Sequence, residues 1–423
     1  MRKRLAVALV VFLAGGSARA MPNFSRREGF DCTTCHTTIP RLNRFGYEYR
    51  NSGFRTPDTI GDRKQKDLPD FGTMFAARLQ TEPSFVRTRT GGTTTNRGQI
   101  SYFETTLYPL VGSFGRWWSS EGELSFAPGE GFEVENAYVR ATFGSAASRF
   151  NARVGVFHPW EGYGASDRPI TINRPLFQRV PARYGAGAGN TFFTLWGFDQ
   201  AGIELGYTFA GFNIAASVLN GLVVREEEGR FIADPFQGGA LSRANDDPNY
   251  NSKDYQVFAN QFFGDAALSA HYYHGKLTVP TGTVAAPGPE FTDKFDRLTV
   301  YGTLPLPRFG GARVPPLSLL GGYVAGWDTG FAGGATGGKS RSNGAFGEVF
   351  ASVTPMVGAA VRYDWFDPSN KSSSNEQQAV VGAVNVAALN GAQGILEYRH
   401  RLNEGAATNT NTDEVRLRLI YIF

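Results

Sequence analysis

The C-terminal stretch TDEVRLRLIYIF, residues 412–423, sets Val415, Leu417, Leu419, Tyr421 and Phe423 on one face of an extended strand and Arg416 and Arg418 on the other, because successive strand side chains point to opposite faces. A soluble sandwich would bury the apolar face and wet the arginines. A membrane barrel would do the reverse, apolar outward to lipid and charged inward to a wet lumen. The arrangement recurs upstream. AAVRYDWF, 359–366, opposes Val361, Tyr363 and Trp365 to Arg362 and Asp364, and DRLTVYGTL, 296–304, opposes Leu298, Val300 and Leu304 to Arg297 and Tyr301. Charge inside a strand is costly in a dry core and natural in a water-filled channel, which favours the barrel.

From about residue 71 the chain reads as strands of roughly ten residues separated by Gly, Asn, Asp and Ser turns. Strands are predicted near 72–86, 98–110, 116–126, 132–143, 149–158, 198–208, 211–221, 253–263, 266–278, 294–305, 314–327, 343–354, 357–366, 376–388, 394–402 and 413–423. The count is roughly sixteen, even as in bacterial single-chain barrels, with fourteen or eighteen as alternatives. Short connections (GSAAS, AGF, FGD, NGAQ) alternate with long ones (159–197, 222–252), which puts both chain ends on the periplasmic side of a Gram-negative outer membrane. The composition agrees: 52 glycines, 13% aromatic residues, and only two cysteines in 423 residues. A net charge of +4 gives no footprint for nucleic acid. No Walker or Rossmann glycine pattern or catalytic triad points to a soluble enzyme.

MRKRLAVALVVFLAGGSARA, residues 1–20, has a basic start, an apolar run from Leu5 to Leu13 and the small-residue ending Ala18-Arg19-Ala20. That is the pattern of a signal peptide, with a membrane anchor as the alternative. Soon after it stands GFDCTTCHTT, 29–38, which holds both cysteines, Cys32 and Cys35, and then His36. C-x-x-C-H is the attachment signature of a c-type haem, with both thiols on the vinyl groups and the histidine on the iron. A disulfide is the competing reading in an oxidising compartment. Zinc lacks a complete ligand set.

About fifty residues lie between the leader and Leu68, too few for a core of their own. In PRLNRFGYEYRNSGF, 40–54, Leu42, Phe45 and Tyr49 recur at helical spacing and are candidates for the porphyrin face, with Pro40 in the first turn and Gly53 at the end. A sixteen-stranded barrel has room for more than side chains. The chain therefore divides into a leader (1–20), a monohaem segment (21–70) and a porin-like barrel (71–423). The fold class is all-β: an antiparallel transmembrane β-barrel with a small, partly helical haem segment at or inside the periplasmic mouth. A haem module hanging free in the periplasm is the alternative.

The segment PNFSRREGFDCTTCHTTIPRLNRFGYEYRNSGF, 22–54, followed by a barrel ending in Phe423, resembles the fused outer-membrane cytochrome-porins, whose characterised members are ferrous-iron oxidases. Pro22, Phe24, Arg26, Cys32, Cys35, His36, Pro40, Leu42, Phe45 and Gly46 stand at family-like positions. The resemblance implies one covalently attached c-type haem, a barrel of roughly sixteen strands and electron transfer across the outer membrane. It leaves the identity of the donor open.

With His36 as proximal ligand, the sixth position of the iron has the candidates Met74, His271 and Met356, in that order, and then an exchangeable water. His158 is expected at the outer rim before Pro159 and Trp160, and His400 on the lipid side. Fe(II) as extracellular donor would find oxygen ligands among the loop acids Asp167, Glu226, Glu227, Glu228, Asp246 and Asp247. The acceptor is expected to be a periplasmic carrier such as a soluble cytochrome c. The loop carrying Asp167 is the third on the long-loop side, where general porins fold a loop inward. Two other functions stay open: a conduit with another donor or outward flow, and a plugged diffusion porin without redox turnover.

Overall fold

The computed structural model describes residues 22–62, 71–127, 131–158, 171–177, 182–184, 200–221, 223–227, 230–234, 253–283, 286–306, 315–329, 339–371, 375–387, 391–403 and 409–423. The expected leader lies outside them. Sixteen strands close into an antiparallel barrel: β1 (Ala76–Thr90), β2 (Thr93–Tyr108, resumed at Gly112–Phe114), β3 (Trp118–Ala127), β4 (Gly131–Gly144), β5 (Ser148–Phe157), β6 (Gln200–Phe209), β7 (Phe212–Leu219), β8 (Asp254–Phe263), β9 (Ala266–Thr283), β10 (Ala286–Pro305), β11 (Leu317–Thr329), β12 (Lys339–Thr354), β13 (Val357–Asp367), β14 (Gln377–Ala387), β15 (Ala392–Asn403) and β16 (Thr410–Ile422). Each pairs with its sequence neighbours. The seam is β16 on β1, with Tyr421 opposite Leu79 and Ile420 opposite Gln80, so no edge strand is left over. β2 is interrupted at Pro109, which has no N–H for the ladder.

The faces follow the alternation in the sequence. Along β7 every second residue is exposed, Phe212, Ile214 and Val218 outward, with Asn213 and Ser217 buried between them. On β13 Val361 is 61% and Tyr363 48% exposed, while Arg362 and Asp364 are fully buried. An apolar belt of this extent is a lipid-facing surface. Inside, the charged side chains meet opposite charges: Arg153–Glu204 at 2.8 Å, Arg297–Asp328 at 2.7 Å, Arg362–Asp364 at 2.8 Å and Arg418–Glu82 at 2.7 Å. Pairing is what allows a guanidinium to leave bulk water.

All sixteen predicted strands are present. β9 and β10 run further than expected, through a stretch rich in Pro and Gly, because two strands that satisfy each other's backbone need no apolar face. A small sheet of Ala182–Tyr184, Val223–Glu227 and Arg230–Asp234 lies in segments read as loops.

The N-terminal segment fills the mouth at which β1 begins and β16 ends. It comprises α1 (Pro22–Glu28), α2 (Cys32–Cys35), two short antiparallel strands (His36–Thr38 and Arg41–Leu42) and α3 (Arg44–Asn51). α3 starts at Asn43, whose side chain accepts from the Gly46 N–H at 2.9 Å, the bond that satisfies an orphan donor of the first turn. Pro40 is therefore not in the first turn as the pattern suggested; it sits in the tight turn between the short strands. α3 ends at Ser52, and Gly53 follows at φ +74, a conformation suited to glycine.

Wall contacts surround the plug. Arg55 donates to the carbonyls of Arg116 and Trp118 at 2.6 and 2.5 Å, and Asn51 to Thr208 and Asn213 at 3.0 and 2.6 Å. Tyr47 packs on Phe262 with centroids 5.0 Å apart. Further round, Arg41 bonds Thr303 and lies over Phe350, Thr38 bonds Ser352 at 2.7 Å, and Asn385 bonds the Ile39 carbonyl. These partners sit on β3, β6, β7, β8, β10, β12 and β14, so the segment spans the bore.

Candidate functional site

The two thiols are placed by one turn of helix. α2 holds Cys32, buried, and Cys35, half-buried, both as free cysteines. α3 is clamped onto this turn: the Asn43 N–H donates to the Cys35 carbonyl at 2.9 Å and the Asn43 side chain to the Thr34 carbonyl at 3.0 Å. Gly46 makes the approach close, since a Cβ there would stand 2.2 Å from the Cys35 carbonyl oxygen. Burial, then Cys32 and Glu28, pushes the Cys35 thiol up to about 11.

His36 follows directly. Its Nδ1 lies 3.0 Å from the Pro40 carbonyl, and because a carbonyl only accepts, Nδ1 carries the proton and Nε2 keeps its lone pair. Burial lowers the imidazole's pKa and so favours the neutral form. Two thiols beside an oriented neutral imidazole make a donor set that suits a covalently attached haem iron.

These groups face one cavity of about 310 Å³ in the bore. The plug contributes Cys32, Cys35, His36, Pro40, Leu42 and Tyr49, together with Phe24, Phe30 and Phe54. Phe24 stacks on Phe54 at 5.4 Å and stands edge-on to Tyr49 at 5.6 Å, and Tyr49 bonds Glu28 at 3.1 Å. Tyr49 lines the cavity from α3, whereas Leu42 lines it from the short strand Arg41–Leu42 and not from a helix. Phe45 is one layer back, against Phe30 at 5.7 Å.

The wall side is mixed: Arg78, Tyr108, Glu121, Glu123, Asn136 and His158 stand beside the aliphatic Val111, Ile395, Ile420 and Ile422. Glu123 accepts from Tyr108 at 3.0 Å and from Asn136 at 2.9 Å. From the connection after β5, Thr171 and Arg174 complete the lining. Residues 171–177 run within the bore: the Asn173 N–H donates to Glu397 at 3.1 Å, Arg362 donates to the Asn173 carbonyl at 2.9 Å, and Phe177 is buried against Tyr301, Val324 and Phe346. The inward-pointing Arg362 and Glu397 find partners in this backbone, which explains how a loop is held inside a polar lumen.

The expected sixth ligands are elsewhere. Met74 is 1% exposed, in the turn before β1, where its thioether fills the space beside Gly112. Met356 packs against the cluster of Cys32, Ile39 and Ala387. His271 does point inward on β9, but its Nε2 lies 3.0 Å from Gln256 on β8 and the ring does not line the cavity. The histidine that does is His158, expected at the outer rim; β5 ends at Phe157, and residues 171–177 of the same connection lie within the bore.

Of the acids considered for donor approach, Asp167, Glu228, Asp246 and Asp247 lie outside the described residues. Glu226 and Glu227 end the strand Val223–Glu227, with Glu227 opposite Arg230. Among the described residues no three His, Cys, Asp or Glu side chains gather as a metal-ion site. Sequence reading missed Thr171, Arg174 and the cavity-facing role of His158. Alternation had turned one residue of this wall inward already: Arg418, opposite the apolar face of 412–423, lines the cavity.

No family profile and no curated protein matches the chain. Among solved structures it is similar to an anion-selective porin from Comamonas acidovorans, at 12% identity over 82% of this chain and 98% of that one, with a TM-score of 0.53. It is also similar to the outer-membrane expressed OmpT of Vibrio cholerae, at 13% identity over 82% and 97%, with a TM-score of 0.48. The likeness to the Comamonas porin is one of fold: the chain is a porin-type sixteen-stranded barrel.

Proposed function

We propose that the protein is an outer-membrane electron-transfer protein with one c-type haem attached through Cys32 and Cys35 and ligated by His36. Extracellular Fe(II) is the donor, and a periplasmic carrier such as a soluble cytochrome c is the acceptor. The observation that carries the proposal is the convergence of both thiols and an Nδ1-anchored imidazole on one cavity inside a plugged bore. Bound there, a haem supplies one-electron exchange between its ferric and ferrous states.

The chain's own residues set the conditions. Cys32 and Cys35 fix the group to the plug, His36 presents Nε2, and Leu42, Tyr49 and the phenylalanines behind them keep water from one side of the cavity. With the plugged mouth toward the periplasm, the plug's outer face is the docking surface for the carrier. The donor approaches from the long-loop side, so ferric product forms outside the cell.

The porin-like fold is compatible with a second reading, a plugged diffusion porin without redox turnover. The ring of bonds around the plug speaks against it, since solute flow needs that ring broken. The test is to mix the oxidised holoprotein anaerobically with Fe(II). Rapid appearance of the reduced haem spectrum supports iron oxidation; a haem reduced only by dithionite points to the conduit with another donor or outward flow.

A further inference from the structure

We infer that His158 is the second axial ligand of the iron; the inference rests on the haem reading above and assigns the residue that completes its coordination. All five histidines are among the described residues, and only His36 and His158 line the cavity. His271 faces Gln256. His274 and His400 are each 44% exposed and lie 2.9 Å from Asp296 and Asp413 respectively. The described methionines do not line the cavity: Met74 stands beside Gly112, and Met356 packs against Cys32, Ile39 and Ala387. Among the described residues, then, one imidazole or thioether besides that of His36 reaches the cavity, and it comes from the wall rather than the plug.

The main chain that carries it is fixed. Arg153, paired with Glu204 at 2.8 Å, lays its guanidinium over the Phe157 ring at 3.9 Å and bonds the His158 carbonyl at 3.4 Å. The end of β5 is thus tied down next to the inward residues Thr171 and Arg174, which share the lining. Ligation from the wall would bolt the plug to the barrel through the haem, in addition to the hydrogen bonds at the rim. Two imidazoles give a lower potential than a histidine–methionine pair. They also leave no open position for an external ligand.

The test is spectroscopic and uses the detergent-purified, matured full chain. Covalent haem is first quantified as the pyridine adduct, which is insensitive to the native axial ligands. The wild-type ferric protein is expected to be low-spin, and its ferrous form to resist carbon monoxide. His158→Ala should keep its covalent haem, turn high-spin, bind carbon monoxide and return to low-spin on adding imidazole. His158→Met, which restores a ligand and guards against a misfolded alanine variant, should stay low-spin with a raised midpoint potential. A low-spin spectrum unchanged in His158→Ala overturns the assignment while leaving the haem reading intact, as does a high-spin wild type. Absence of covalent haem from the wild type overturns both.

Discussion

A methyl group added at Gly46 would stand 2.2 Å from the Cys35 carbonyl oxygen and 2.8 Å from Leu42 Cδ2, so Gly46→Ala must push α3 off the CTTC turn. We expect overpacking of about 1–3 kcal/mol and a fall in haem attached per polypeptide, read from the pyridine adduct against protein content. Asn43→Ala is milder, costing about 1 kcal/mol through the lost cap, and should keep most of its haem. At this scale the sequence was informative wherever chemistry is local. Cys32, Cys35 and His36 are consecutive in space because one helical turn joins them. Pro40 was misplaced, because a capping side chain at Asn43 decided where the helix began. His158 was assigned to the outer rim from its neighbours Pro159 and Trp160, and it lines the cavity instead.

Among the elements, the plug is held by bonds distributed round the rim, and Arg55 is its most buried charged anchor, fully enclosed with carbonyl partners at 2.6 and 2.5 Å. Arg55→Met removes both charged hydrogen bonds and should loosen the plug by about 3 kcal/mol. The measurement is limited proteolysis of residues 22–62 in the folded barrel, with faster cleavage expected than in the wild type. Excising the plug should open the bore: planar-bilayer recordings are expected to show a closed wild type and a conducting deletion variant, and equal conductance in both would argue for the diffusion-porin reading. The barrel strands were legible because period-two alternation is written into each one. The pieces at Ala182–Tyr184, Val223–Glu227 and Arg230–Asp234 were not, since runs of 3 to 5 residues are too short to display a period. The inward run 171–177 was foreseen only by analogy with porins; what holds it is a set of partners on β13, β15 and β16, far away in sequence.

The whole molecule joins two incomplete parts. The barrel buries paired charges in a lumen and turns its apolar residues outward, and the plug is too short to enclose a cofactor unaided. Val361, 61% exposed on β13, tests the outward face: Val361→Arg should destabilise the barrel in lipid by about 2–4 kcal/mol if it lies near the midplane, measured by reversible unfolding in vesicles. A smaller residue there, as in Val361→Ala, should fold nearly as well. The central claim is that this barrel carries one covalent haem on its plug. The most direct measurement is the intact mass of the full chain, matured in a host that assembles c-type cytochromes, beside the Cys32→Ser/Cys35→Ser double variant. The account predicts a wild-type chain heavier by one haem, with the added mass lost in the variant; a matured wild type at the bare polypeptide mass would contradict it.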